Sequence, residues 1–263
     1  MLKANGFLTN LMSVGRYSFS TNDLQEALGT AQAATWLTLS RLARQGRIAS
    51  PARGYYVIVP PEYRNLGCLP AEQFIPDLMD RLKLPYYVGL LSAAQYYGAA
   101  HHRPQQFQVM LERSRRPIRC GQVEVTFVAR KRLADVPVVT SFSTARGPVR
   151  VSSPEATAID LIGYPEHAGG LDNVATVLDE LSEQIQPQAL VAAAQTAPLP
   201  WAQRLGYILE FVASAGQITG PLKAYVQEKA RQYTPLQPAA EVEDTVRSLD
   251  WKIIANVEVE SEA

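Results

Sequence analysis

The first 60 residues carry a helical hydrophobic spacing three times and then switch to a strand-like run. Phe7, Leu8, Leu11 and Met12 fall on one face of a short helix over residues 5–14. Ser20-Thr21-Asn22-Asp23 offers N-caps to a second helix, in which Leu24, Ala27 and Leu28 repeat at helical spacing. Gly29 ends that helix, since glycine reaches positive φ at no steric cost. A third helix is predicted over about residues 31–45, with Thr35, Leu39 and Leu42 facing the core, and Gly46 stops it. RIASPARGYYVIVP then reads as a hairpin, with Ile48 on its first strand, SPARG at the tip and Tyr55–Val59 as the return strand. Pro60-Pro61 closes the unit because neither residue can donate a ladder hydrogen bond. Leu11, Leu24, Leu28, Leu39, Leu42, Ile48 and Tyr56 form the expected core.

Beyond Pro60 the pattern is mixed. Residues 61–85 form a Pro-rich connection running into a short amphipathic helix with Phe74, Ile75, Leu78, Met79 and Leu82 on its apolar side. Residues 87–99 predict a helix of small and aromatic residues. Residues 107–111 and 123–129 are strand-like, the second alternating Val123, Val125, Phe127 and Ala129 with Glu124, Thr126 and Val128. Shorter strands are expected over 136–141 and 149–151. Ser152-Ser153-Pro154-Glu155 opens a helix, either through a serine cap with proline at the first position or through a Ser152/Glu155 capping box. Helices over about 171–183, 187–195, 201–214 and 220–231 follow, and DWKIIANVEVE reads as a last strand. Strands clustered in the middle with helices behind them predict an α+β class. The expected order is a winged helix-turn-helix at 1–60, a connecting segment with a short helix at 61–85, and a larger mixed α+β domain at 86–263.

Charge sharpens this picture. The whole chain is neutral, with 25 basic and 25 acidic residues. Residues 1–60 nevertheless hold six basic residues against two acidic ones, and residues 103–132 hold eight against two. Residues 241–263 hold seven acidic residues against two basic ones, Glu258, Glu260 and Glu262 among them in the tail. Local fields of this kind are what a polyanion responds to. The third helix offers Gln32, Trp36, Ser40, Arg41 and Arg44 away from its apolar face, and Arg47 and Arg53 bracket the hairpin. These residue types reach base edges and phosphates when a helix enters a major groove. Arg113, Arg115, Arg116 and Arg119, on an expected hairpin tip, make a second candidate contact surface, with Arg130, Lys131 and Arg132 beside it. Double-stranded DNA is therefore the expected partner.

Several stretches together resemble one family. GYYVIVPPEYRNLGCLPAEQFIPDLM, PYYVGLLSAAQYYGAAHHRPQQFQVM, VRVSSPEATAIDLIGY, RLGYIL and WKIIANVEVE are similar, over about residues 20–260, to the AbiEi antitoxins of type IV toxin–antitoxin and phage-defence loci. The resemblance implies a bacterial DNA-binding antitoxin whose N-terminal domain represses its own operon at promoter inverted repeats. It also implies a C-terminal domain that counteracts a nucleotidyltransferase-like toxin of the AbiEii kind, with direct contact left open. A plain winged-helix regulator with a ligand-sensing C-terminal domain is the alternative, and it predicts an apolar pocket within residues 86–200.

Other chemistry is poorly supported. His101 and His102 are adjacent, so they point apart, and only His167 joins them in the chain. No Cys-x-x-Cys motif or metal-ligand spacing accompanies them, and no metal or cofactor is expected. Ser92 lacks a nucleophile elbow, Gly169-Gly170 reads as a turn, and Asp179, Glu180 and Glu183 lie on a helix face expected to be exposed. No enzymatic activity is expected. Cys68 and Cys120 stand far apart in sequence and read as free thiols in a reducing cytoplasm. No apolar run approaches the roughly 18 residues that span a membrane, and the N-terminus shows no leader-like apolar core.

Overall fold

The structure, a computed structural model, describes residues 2–99, 106–139, 142–242 and 245–261. His101, His102, Arg103, Glu243, Asp244 and Glu262 lie outside the described residues. The class is α+β, as the element pattern predicts. The chain divides into two compact units, the first comprising residues 1–86, 105–130 and 140–150, the second 87–104, 131–139 and 151–263.

The first unit opens with α1 (Leu2–Ser13), β1 (Ser18–Ser20), α2 (Thr21–Leu28), α3 (Gln32–Arg44), β2 (Ile48–Ala52) and β3 (Tyr55–Ile58). Ser20 caps α2 through a capping box in which its hydroxyl accepts from Asp23 N–H at 3.0 Å and its own N–H donates to Asp23 Oδ2 at 2.8 Å. Gly29, at φ 61°, closes the other end. On α3 the buried residues are Thr35, Leu39 and Leu42, the three that the spacing selects. The hairpin gains a third strand that the hydrophobic pattern does not reveal: β1 pairs antiparallel with β3, giving the order β1-β3-β2. The order α1, β1, α2, α3 and then the β2-β3 hairpin is the arrangement expected of a winged helix-turn-helix. Its core gathers Leu8, Leu11, Phe19, Leu24, Leu39, Leu42, Ile48, Tyr56 and Ile58, with Leu28 packed against it. Phe19 stacks on Tyr56 at 5.6 Å and meets the edge of Phe7 at 5.4 Å.

A second core in the same unit starts on the other side of the winged sheet. It joins Ala49, Tyr55, Val57 and Val59 to Phe74, Ile75, Leu78 and Met79 of α4 (Ala71–Leu82). It continues into β4 (Phe107–Leu111), β5 (Ile118–Cys120) and β6 (Val123–Ala129), through Val109, Leu111, Ile118, Val125 and Phe127. β4 runs parallel to β6 and β5 antiparallel to it, giving the order β5-β6-β4. Residues 112–117 therefore cross over between non-adjacent strands and are not the hairpin tip that the sequence predicts. β5 lies against the wing strand β2.

The second unit is mostly helical: α5 (Leu90–Tyr96), α6 (Pro154–Gly163), α7 (Leu171–Leu181), α8 (Pro187–Ala194), α9 (Leu199–Phe211) and α10 (Gly220–Lys229). A short ladder precedes α6, with Val151 parallel to Val88 and antiparallel to Val139. Of the two possible starts for α6, the structure uses Ser153 as N-cap, accepting from Ala156 N–H at 3.2 Å, with Pro154 in the first turn. Glu155 instead accepts from Gln186 N–H at 2.9 Å. The expected last strand is short, β8 (Ile253–Ala255), and completes a small sheet with β7 (Val246–Ser248) and Thr234-Pro235. Trp251 is fully buried against α9 because position 206 is glycine, where a Cβ would stand 2.0 Å from the indole.

Two outcomes follow from this packing. A fragment ending at Pro60 leaves Tyr55, Val57 and Val59 without their partners, so it should bind hydrophobic dyes and lack a sharp thermal transition, in contrast to the full chain. Gly206→Ala should lower stability by about 1–3 kcal/mol through overpacking against Trp251, read from urea unfolding of the full chain.

Candidate nucleic-acid interface

The side of α3 opposite its buried stripe is open to solvent. Gln32, Trp36, Leu37, Ser40, Arg41 and Arg44 are all exposed, Trp36 at 50% and Leu37 at 61%. The charge and hydrogen-bonding groups selected from sequence thus share one helix. Leu37 adds an exposed apolar group that the sequence analysis does not single out. A cavity of about 230 Å³ opens beside this helix, bordered by Lys3 and Asn5 of α1, Thr30, and Thr38 and Arg41 of α3. It lies outside residues 86–200, where a ligand-sensing domain is expected to hold its pocket.

Arg53 stands exposed at the wing tip, beside Gly54 at φ 70°. Arg47 is different. It is half-buried and donates to Asn5 Oδ1, tying the start of the hairpin to α1. Arg16 is likewise engaged, at 2.9 Å from Asp23. The wing is held from behind by a carboxylate. Asp77 of α4 accepts from Ser18 Oγ at 2.7 Å and from Tyr55 Oη at 2.8 Å, so one side chain ties β1 and β3 to α4. Burial, reinforced by the Asp77 charge, pushes the Tyr55 phenol far above the usual tyrosine range. It therefore remains a donor at every physiological pH.

The second basic segment is split. Arg113, Arg115 and Arg116 are exposed on the crossover between β4 and β5. Arg119, on β5, is also exposed but lies 3.2 Å from Glu124. Because β5 flanks β2, these arginines belong to the same compact unit as the wing. The neighbouring cluster is not a surface cluster throughout: Arg130 is 2% exposed. Arg132 pairs with Asp135 at 2.8 Å and donates to Gln195 O at 2.9 Å. Asp179 and Glu180, expected on an exposed face, are half-buried.

Residues 87–211 match the family described as the AbiEi antitoxin C-terminal domain. This segment is an AbiEi antitoxin domain. It begins directly after the first contiguous stretch of the winged-helix unit and ends with α9. The AbiEi match supports the role of antitoxin in a toxin–antitoxin system, a regulatory kind of protein. No curated protein sequence matches the chain. Among solved structures, it resembles the crystal structure of the RV2827C protein from Mycobacterium tuberculosis, with a TM-score of 0.69 at 16% identity, covering 100% of this chain and 92% of that one. At that identity the likeness shows a shared fold. Two of the stretches that resemble AbiEi proteins meet in space, since Gly206 of RLGYIL receives the ring of Trp251. Among the described residues no helix is long and apolar enough to cross a membrane, and no group of three or more His, Cys, Asp or Glu is placed to hold a metal.

The Asp77 tie gives a direct test of how the wing is held. Asp77→Ala leaves the Ser18 and Tyr55 hydroxyls without their shared acceptor and should cost about 1–3 kcal/mol in urea unfolding. Asp77→Asn, which keeps one acceptor oxygen, should cost less.

Proposed function

We propose that this chain is the DNA-binding antitoxin of a type IV toxin–antitoxin and phage-defence system, acting in the cytoplasm. It represses its own operon at promoter inverted repeats and counteracts a nucleotidyltransferase-like toxin of the AbiEii kind, without enzymatic activity of its own. The observation that carries this reading is an AbiEi antitoxin domain behind a winged helix whose third helix exposes Gln32, Trp36, Ser40, Arg41 and Arg44 together. In this reading α3 enters the major groove, where Arg41 and Ser40 read base edges and Arg44 meets phosphate. Arg53 at the wing tip lies along the backbone or the minor groove. Arg47 serves mainly to position the hairpin, because its guanidinium is committed to Asn5. Arg113, Arg115, Arg116 and Arg119 extend the interface to further phosphates of the same duplex, adding affinity without base information.

The division of labour among the arginines is measurable with the promoter DNA of the chain's own operon. Arg41→Ala should cost about 1–3 kcal/mol at the cognate site and relax preference at one base pair. Arg53→Ala should weaken all sequences alike and reduce the salt slope by about one unit. Replacing all four arginines of the second segment should flatten the slope by up to about 0.9 for each phosphate that is no longer neutralised. Unchanged affinity and site preference for Arg41→Ala would exclude α3 as the reading helix. A growth assay with the AbiEii-type toxin tests the antitoxin half separately, since a chain that fails to rescue growth is not its antitoxin.

A further inference from the structure

Cys68 and Cys120, 52 residues apart in sequence, meet in the first unit and are both free. Both thiols lie in the same hydrophobic core, where each acts on the other. The chain segments beside them are locked together by backbone. Gln122 N–H donates to Leu66 O at 2.7 Å, and a Cβ on Gly121 would stand 2.9 Å from the Gly67 Cα. Only glycine fits at 121, so this close approach is built into the fold. Cys68 is fully buried, whereas Cys120 keeps 7% exposure. The strand that carries Cys120 lies against wing strand β2, whose Ser50 backbone acts on the Cys120 thiol.

We propose that Cys68 and Cys120 are a peroxide-responsive thiol pair that closes into a reversible intrachain disulfide. The neighbouring Cys68 thiol and the Ser50 backbone favour the Cys120 thiolate, holding that thiol below the usual cysteine range. Cys68 is pushed the other way by the neighbouring Cys120 thiol and by burial, so it keeps its proton. Cys120 is thus the nucleophile and Cys68 the resolving thiol. The Cys120 thiolate attacks one oxygen of hydrogen peroxide, the O–O bond breaks, and the departing hydroxide takes up a proton as water. Cys120 is left as a sulfenic acid. The Cys68 sulfur then attacks Cys120 Sγ, the S–S bond forms, the S–O bond breaks, and the hydroxyl leaves with the Cys68 proton as a second water. Two thiols lose two electrons and two protons, and the peroxide is reduced to two waters. A reductant such as a dithiol reverses the bond. Closure draws the Cys120 sulfur toward Cys68 and away from Ser50, and so loosens one attachment of the wing strand. This last consequence rests on the DNA-binding reading, whereas the thiol chemistry does not.

The full chain treated with hydrogen peroxide should lose the mass of two hydrogens and give a single peptide cross-link between Cys68 and Cys120, with both restored by dithiothreitol. A cross-link between two chains overturns the pair. So does uptake of oxygen without a bridge, or no change at peroxide levels that oxidise free cysteine. In Cys68→Ser, dimedone should trap a sulfenic acid at Cys120; in Cys120→Ser, Cys68 should stay unlabelled, and labelling there would reverse the assigned roles. The wild-type mass readout stands even if either variant fails to fold. Oxidised protein should bind its own promoter duplex about threefold or more weakly than reduced protein. Equal affinity with the bridge formed removes the coupling to the wing and keeps the thiol site. Failure to bind DNA in either redox state overturns the DNA-binding reading and not the thiol pair.

Discussion

Strand β3 is buried on both faces, and the first unit is organised around that fact. Successive residues of a strand point to opposite sides, so Tyr56 and Ile58 enter the core beneath the three helices while Tyr55, Val57 and Val59 enter the core shared with α4 and the β5-β6-β4 sheet. A winged helix usually exposes one side of its sheet. Here the second side is spent on a neighbour, so the orientation of the wing is fixed by packing. Sliding β3 by one residue would swap every side chain between the two cores, which pins the register as well.

Polar interactions refine what the double core fixes. Asp77 collects hydroxyls from β1 and β3, and Asp23 serves both the cap of α2 and Arg16. These ties also sort the basic residues. Arg16, Arg47, Arg119 and Arg132 each have a partner within the chain. Arg41, Arg44, Arg53, Arg113, Arg115 and Arg116 are exposed, and it is this second group that gives the proposed DNA surface its charge. The neutral total of the chain hides the distinction, because a phosphate backbone responds to local charge.

The second unit solves a different problem, that of holding its C-terminal segment on a helical body. Gln203 on α9 donates to the carbonyls of Trp251 at 3.2 Å and Lys252 at 3.0 Å and accepts from Thr234 at 3.2 Å. Trp251 donates its indole N–H to Glu210 at 3.0 Å. Further in, Tyr87 donates to Asp160 at 2.6 Å, and Ser152 meets Thr157 at 2.7 Å. Buried polar groups that are paired in this way specify one arrangement where apolar packing alone would tolerate several.

By itself the sequence determined the local elements and the chemistry on offer. The α+β class, the caps at Ser20 and Gly29, the buried stripe of Thr35, Leu39 and Leu42, and the exposed polar face of α3 all follow from spacing and from the properties of single residues. The AbiEi resemblance was legible too, because it rests on ordered stretches of chain. Tertiary structure decided whatever depends on partners distant along the chain. β1 has only three residues, too few for a period, and exists because β3 offers it a ladder. The crossover at 112–117 could not be told from a hairpin, since strand order leaves no mark on local hydrophobicity. Arg130 reads as one of three surface cations, yet it is buried, and Arg47 is taken by Asn5 across 42 residues. Cys68 and Cys120 read as unrelated thiols until the close approach of Gly67 and Gly121 brings them together. Helical and strand periods record which side of an element is buried. They carry no record of which distant segment buries it, and that is settled only when the whole chain packs.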